Sequence, residues 1–160
     1  MGTLPVVDRI LRLQRLEREQ VIERPLREVF DFFARADNLE RITPPWLSFR
    51  AVTPGPIEMG CDTLIDYRLR LHGLPLRWTS RIEHWEEEHC FVDEQVHGPY
   101  RVWRHLHEFV PIGRATSIRD RVEYALPLGW LANPLGLPVV RRDLARIFDY
   151  RRSAVARLLG

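Results

Sequence analysis

Between Cys61 and Leu126 the chain alternates apolar and polar residues, and short turn-forming clusters interrupt the alternation. A period of two sends successive side chains to opposite faces of a strand. Cys61 to His72 sets Thr63, Ile65, Tyr67, Leu69 and Leu71 on one face. Asp62, Asp66, Arg68 and Arg70 take the other, together with Leu64. Leu74 to Trp85 places Leu76, Trp78, Ser80 and Ile82 opposite Arg77, Arg81 and Glu83. Cys90 to His97, Arg101 to Val110 and Thr116 to Leu126 read as three more strands, separated by Gly98-Pro99 and Ile112-Gly113. Upstream, Arg15 to Glu23 reads as the first strand. Trp46 to Thr53 reads as the second, turned by Pro54-Gly55-Pro56.

Elsewhere the apolar spacing is helical. Pro25 fits a first helical turn, where its missing N–H costs nothing. Leu26, Val29, Phe30 and Phe33 then share one face. A second short helix runs from Ala36 to Ile42 and stops at Pro44-Pro45. From Val140 onward Leu144, Ile147, Phe148, Val155, Leu158 and Leu159 recur at helical steps, with Arg141, Arg142, Arg146, Asp149, Arg152 and Arg157 on the solvent side. Long sequential strands with short turns predict an antiparallel meander, one face covered and one wet. The final helix is the cover. The fold class is therefore α+β: seven strands, two short helices after the first, and a long C-terminal helix over a cavity.

Composition fits this picture. The 160 residues are 45% hydrophobic and 29% charged, as expected of one globular domain spanning 1–160 with an N-terminal extension at 1–14. No apolar run approaches the roughly 18–20 residues of a membrane span, and Met1 to Leu13 lack the pattern of a secretory signal. A cytoplasmic location without stable membrane association is expected. Cys61 and Cys90 read as small apolar strand residues, since two distant thiols make neither a disulfide framework nor a zinc site. Every one of the 24 basic residues is arginine, which removes lysine-based Schiff-base chemistry and the lysine-dependent phosphate loop. A net charge of +2 argues against a nucleic-acid partner. The outward arginines 68, 70, 77 and 81 read as cross-strand partners of glutamates.

Four stretches carry a resemblance: NLERITPPWLSF (38–49), IDYRLRLHGLPLRW (65–78), FVDEQVHGPYRVWRHLHEF (91–109) and DRVEYALPLGWL (120–131), with IFDYR (147–151) on the last helix. They resemble the START-like (SRPBCC) superfamily, in particular its bacterial ligand-binding and polyketide cyclase-like group. The resemblance implies the helix-grip fold and covers the chain from Arg15. Ala115 departs from the pattern, which usually has glycine before the last strand.

Sorting the strands by face brings polar residues inwards. Phe91, Asp93, Gln95 and His97 share a face, as do Trp103, His105, His107 and Phe109, and Ile118, Asp120, Val122 and Tyr124. Hairpin pairing gathers Asp93, Gln95, His105, His107 and Asp120, with Tyr67, Ser80 and His84 facing them from the middle strands. Three readings stay open: a satisfied hydrogen-bond network, a set that orients a ligand, or a metal site built on His105-x-His107 and an aspartate. No cofactor is called for. Trp46, in the Thr43-Pro44-Pro45-Trp46 turn, is either a packing anchor or a ring for a ligand to stack on. Leu126 to Leu131 reads as a core-facing loop.

The expected function is binding of a small hydrophobic or aromatic molecule, by a monomer or homodimer, with Tyr67, Trp78, Ser80, Asp93, Gln95, Trp103, His105, His107, Asp120 and Trp46 as the ligand-facing set. A polyketide aromatase/cyclase or related lyase is the alternative, with His105, His107 or Asp120 as catalytic residues, because imidazole titrates near neutral pH. A third reading is a partner-binding domain whose cavity is vestigial.

Overall fold

The computed structural model describes residues 12–160, so most of the extension expected at 1–14 lies outside the described residues. Seven strands form one antiparallel sheet: β1 (Gln14–Ile22), β2 (Arg50–Ala51), β3 (Leu64–Leu71), β4 (Leu74–Glu86), β5 (Cys90–His97), β6 (Val102–Ile112) and β7 (Ala115–Ala125). Their spatial order is β1-β7-β6-β5-β4-β3-β2, a meander closed at one edge by the first strand. Helices α1 (Leu26–Phe33) and α2 (Ala36–Ile42) follow β1, a short α3 (Leu128–Leu131) follows β7, and α4 (Gly136–Leu159) ends the chain. This is the helix-grip arrangement. Among the described residues no helix is long and apolar enough to cross a membrane.

Alternation explains why the sheet has a dry side. Along β6 the buried positions are His105, His107 and Phe109, two residues apart. On α4 the buried side chains Val140, Leu144, Phe148 and Val155 make one stripe facing the sheet. The packed residues form three apolar clusters. One surrounds Phe30, whose ring meets Trp85 and Phe109 edge-on, each at 5.3 Å between centroids. A second joins β7 to the first half of α4, and a third joins α2 to β3. A hollow remains where the three fail to meet.

Several local expectations are corrected. Trp46 to Thr53 is not a strand: Pro45–Leu47 forms a 3-10 turn, Ser48 is left-handed at φ 45°, and only Arg50 and Ala51 pair with β3. Two adjacent prolines and a left-handed residue leave too little extended chain for a longer ladder. Cys61 is exposed in a turn before β3 rather than packed in a strand. Leu126 is buried and Leu131 packs against the core, but Leu128 and Trp130 in the helical segment between them are exposed, so only part of this stretch faces the core. The last helix begins at Gly136, four residues earlier than expected, with Pro138 tolerated in its first turn, and Leu158 is exposed. On the wet face Arg81 pairs with Glu94, but Arg68 stands directly opposite Arg77, so glutamate pairing accounts for only part of the arginine patch. Where Ala115 replaces the usual glycine, Gly113 supplies the left-handed residue of the turn at φ 60°.

Candidate functional site

Strand β6 supplies the centre. His105 and His107 are two residues apart, so both face the dry side, and their rings lie 3.7 Å apart, tilted by 32°. Asp93 on β5 stands in register with His105, and Asp120 on β7 with His107. The shorter contacts run diagonally. His107 Nε2 is 2.6 Å from Asp93 Oδ2, and His105 Nε2 is 2.8 Å from Asp120 Oδ1. The other ring nitrogens face the opposite carboxylates at longer range, His105 Nδ1 at 3.8 Å from Asp93 and His107 Nδ1 at 3.4 Å from Asp120. The latter is too poorly aligned to count as a hydrogen bond, and His107 Nδ1 is buried. Each imidazole therefore spans the gap between two carboxylates. Phe91 stacks on His107 at 4.2 Å, and Phe148 meets His105 edge-on at 5.4 Å.

Burial and charge push the two imidazoles in opposite directions. Burial, helped by the neighbouring His107, drives His105 down to about 4 against the pull of Asp120. Burial also opposes charge on His107, but the nearby carboxylates of Asp120 and Asp93 outweigh it and raise the ring above its ordinary value. Burial disfavours the charged aspartates too. The Arg151 guanidinium and both imidazoles nevertheless hold Asp120 well below the usual carboxylate range, and Asp93 is lowered chiefly by His107. The set thus joins two carboxylates and the Arg151 guanidinium to one imidazole whose charged form is favoured (His107) and one whose neutral form is favoured (His105).

Above the box lies a hollow of about 190 Å³ between the sheet and α4. Of the ten residues expected to face a ligand, Tyr67, Trp78, Ser80, Asp93, Trp103, His105 and His107 line it. Three do not. Asp120 sits behind the imidazoles. Gln95 bonds the backbone of Tyr100 through both its amide atoms and so clamps the loop joining β5 to β6. Trp46 lies on the outer side of α4, against Tyr150 and beneath Arg146, as a half-exposed anchor. Ser80 accepts from Trp78 Nε1 at 3.0 Å, and burial raises the Tyr67 hydroxyl.

Two histidines expected inside are outside, for one physical reason. The β4–β5 ladder slips between Ile82 and His84 and again between Thr79 and Ser80. Each bulge inserts one residue and reverses the faces beyond it. His84 and His97 therefore turn to solvent, and Trp85 turns in against Phe30 and Phe91. Arg151 is the cavity-lining residue that strand alternation misses. It lines the hollow from α4, with its guanidinium 5.6 Å from the Phe33 ring and 5.8 Å from that of Phe148. The signal was present in the spacing: Leu144, Phe148, Arg151 and Val155 follow at steps of four, three and four, which puts the arginine on the buried stripe.

As for metal, Asp93, His105 and His107 could offer three ligand atoms within 4.8 Å of one another, and exposed His84, Glu86 and Cys90 form a similar group on the wet face. In the buried set each histidine Nε2 already has a carboxylate partner.

The family described as polyketide cyclase/dehydrase and lipid transport matches residues 22–149. No curated protein sequence matches the chain. Among solved structures, protein CV1439 from Chromobacterium violaceum is similar with a TM-score of 0.71 at 9% identity, over 91% of this chain and 96% of that one. A START superfamily protein from Mycobacterium smegmatis gives 0.65 at 10% identity, over 91% and 96%. A norcoclaurine synthase point mutant from Thalictrum flavum, in complex with a transition-state analogue, gives 0.63 at 15% identity, over 92% and 94%.

Proposed function

We propose that this chain, which belongs to the polyketide cyclase/dehydrase and lipid transport family, binds a small hydrophobic or aromatic molecule in the hollow between its sheet and α4. One observation carries the reading: the walls are mostly aromatic and aliphatic, and His105, His107 and Asp93 present polar groups to the hollow from adjacent strands. Apolar walls supply affinity, and a few convergent polar atoms fix orientation. A cavity of about 150 Å³ admits benzene, so about 190 Å³ suits a ligand of one or two rings. Calorimetric titration with 2-naphthol is expected to give one site per chain. Leu76→Trp, which adds bulk to a half-buried lining position, is expected to weaken it by about tenfold or more, a change of about 1.4 kcal/mol. Equal affinity in the two proteins would place the probe elsewhere and end this reading.

The opposite perturbation of the two imidazoles favours a second reading, an acid/base lyase of the cyclase type. An imidazole favoured neutral beside one favoured charged is the kind of pairing that proton transfer uses. His105 would accept a proton from a ligand carbon activated by a carbonyl and return it to that carbon. The expected result is α-proton exchange of 2-tetralone in heavy water, followed by NMR, at about 100-fold above buffer and lost in His105→Gln. Exchange at the buffer rate in the native chain removes the reading.

A further inference from the structure

We propose that Arg151 is an anion receptor inside the hollow, and that the ligand is a one- or two-ring aromatic or alicyclic acid held by its carboxylate. The inference rests on the cavity-binding reading and deepens it by naming the ligand class.

Arg151 carries an unsatisfied donor. Arg151 lies on α4 between buried Phe148 and Val155, and so on the face turned to the sheet. Its Nε is buried and has no hydrogen-bond partner. Asp93 and Asp120 feel the guanidinium through space, without a hydrogen bond from it. Each of those aspartates accepts a short bond from a histidine instead. Phe33 and Phe148 offer the cation their ring faces, which compensate charge but accept no N–H in line. A guanidinium carries five donors in a planar fork, and leaving a buried charged donor unpaired is costly. The matching acceptor is planar and bidentate, namely a carboxylate.

The surroundings suit that acceptor. Tyr67 faces the hollow from β3, Asp93 from β5, His105 and His107 from β6, and Arg151 from α4, while Asp120 on β7 sits behind the imidazoles. The Arg151 guanidinium, and His107, whose charged form the carboxylates favour, offset the two aspartates that an entering carboxylate would meet. Arg35 also reaches the hollow, but it is exposed to solvent at the junction of α1 and α2. Of the two arginines that line the hollow, Arg151 is the one with a buried Nε that lacks a partner.

The test compares two probes that share a ring system, 2-naphthoate and neutral 2-naphthol, by calorimetry on the full chain at pH 7. The native protein is expected to prefer the naphthoate by about tenfold or more, the effect of charge-assisted hydrogen bonds. Arg151→Met keeps the length and apolar contact of the side chain. It is expected to abolish the preference, with the naphthoate-to-naphthol affinity ratio falling to about one. Should Arg151→Met fail to fold, Arg151→Lys keeps the charge but loses the fork, and a preference reduced by about threefold or more supports the same conclusion. Equal binding of the two probes by the native chain overturns the anion-receptor assignment and leaves the cavity reading standing. Binding of neither probe overturns the cavity reading and this inference with it.

Discussion

Asp120→Ala is expected to lower stability by about 3–5 kcal/mol at pH 7, the cost of breaking a buried ion pair by removing one partner. The carboxylate it removes is nearly buried, bonds His105 Nε2 at 2.8 Å and lies 3.4 Å from His107 Nδ1. It also balances Arg151 through space. Its loss leaves an orphaned ring N–H on His105 and an excess positive charge shared by His107 and Arg151. Asp120→Asn keeps an acceptor oxygen but not the charge, and a smaller loss is expected. Adding His105→Phe to Asp120→Ala removes the orphaned ring as well. The double variant should regain about 1–2 kcal/mol, because an unpaired buried donor costs more than an absent pair. Urea midpoints at unchanged slope measure all three. A loss below about 1 kcal/mol for Asp120→Ala would mean that solvent screens the pair as it does an exposed one.

The meander was legible because one face of the sheet is buried, and burial ties each side chain to its place in the alternation. Ile65 and Tyr67 on β3, and His105, His107 and Phe109 on β6, fall where a strict period of two puts them. That rule also brought Asp93, His105, His107 and Asp120 together, since register between neighbouring strands follows from short hairpins. It failed where the ladder slips. A bulge leaves no reliable mark in sequence, and beyond Ile82 the count assigns His84 inwards and Trp85 outwards, the reverse of the structure. Gln95 keeps its expected face, but its amide closes the Tyr100 turn, a contact set by loop geometry. Arg151 was hidden for a different reason. Charge on a helix is ordinarily solvent-facing, and only its place on the stripe of Leu144, Phe148 and Val155 betrays it. Family membership adds fold and a general ligand-binding or cyclase-like character. The functional detail belongs to side chains that this fold can carry or omit.

Stability is expected to peak near neutral pH and to fall on both sides, with His105 controlling the acid limb. The folded protein pushes His105 down to about 4, whereas the unfolded chain titrates near 6.5. Between those values the unfolded state holds a proton that the folded state refuses, so stability falls as pH drops from about 6.5 to about 4. The slope from one group is at most ~1.4 kcal/mol per pH unit, and the whole contribution is on the order of 3 kcal/mol. Asp93 and Asp120 act below this window: their folded values are depressed, so their stabilisation is present above the unfolded carboxylate value and disappears as pH falls through the folded one. His107 acts with the opposite sign. Its folded value is raised, so its contribution is complete below 6.5 and disappears as pH rises through that folded value. His105→Gln keeps a side-chain N–H for Asp120 without a titrating ring. It is expected to flatten the limb between about pH 6.5 and 4 while leaving the alkaline decline in place. Urea unfolding at half-unit pH steps would show it. An acid limb equally steep in the variant would mean that His105 does not refuse its proton in the fold, and with that the neutral imidazole required of a proton acceptor would be gone.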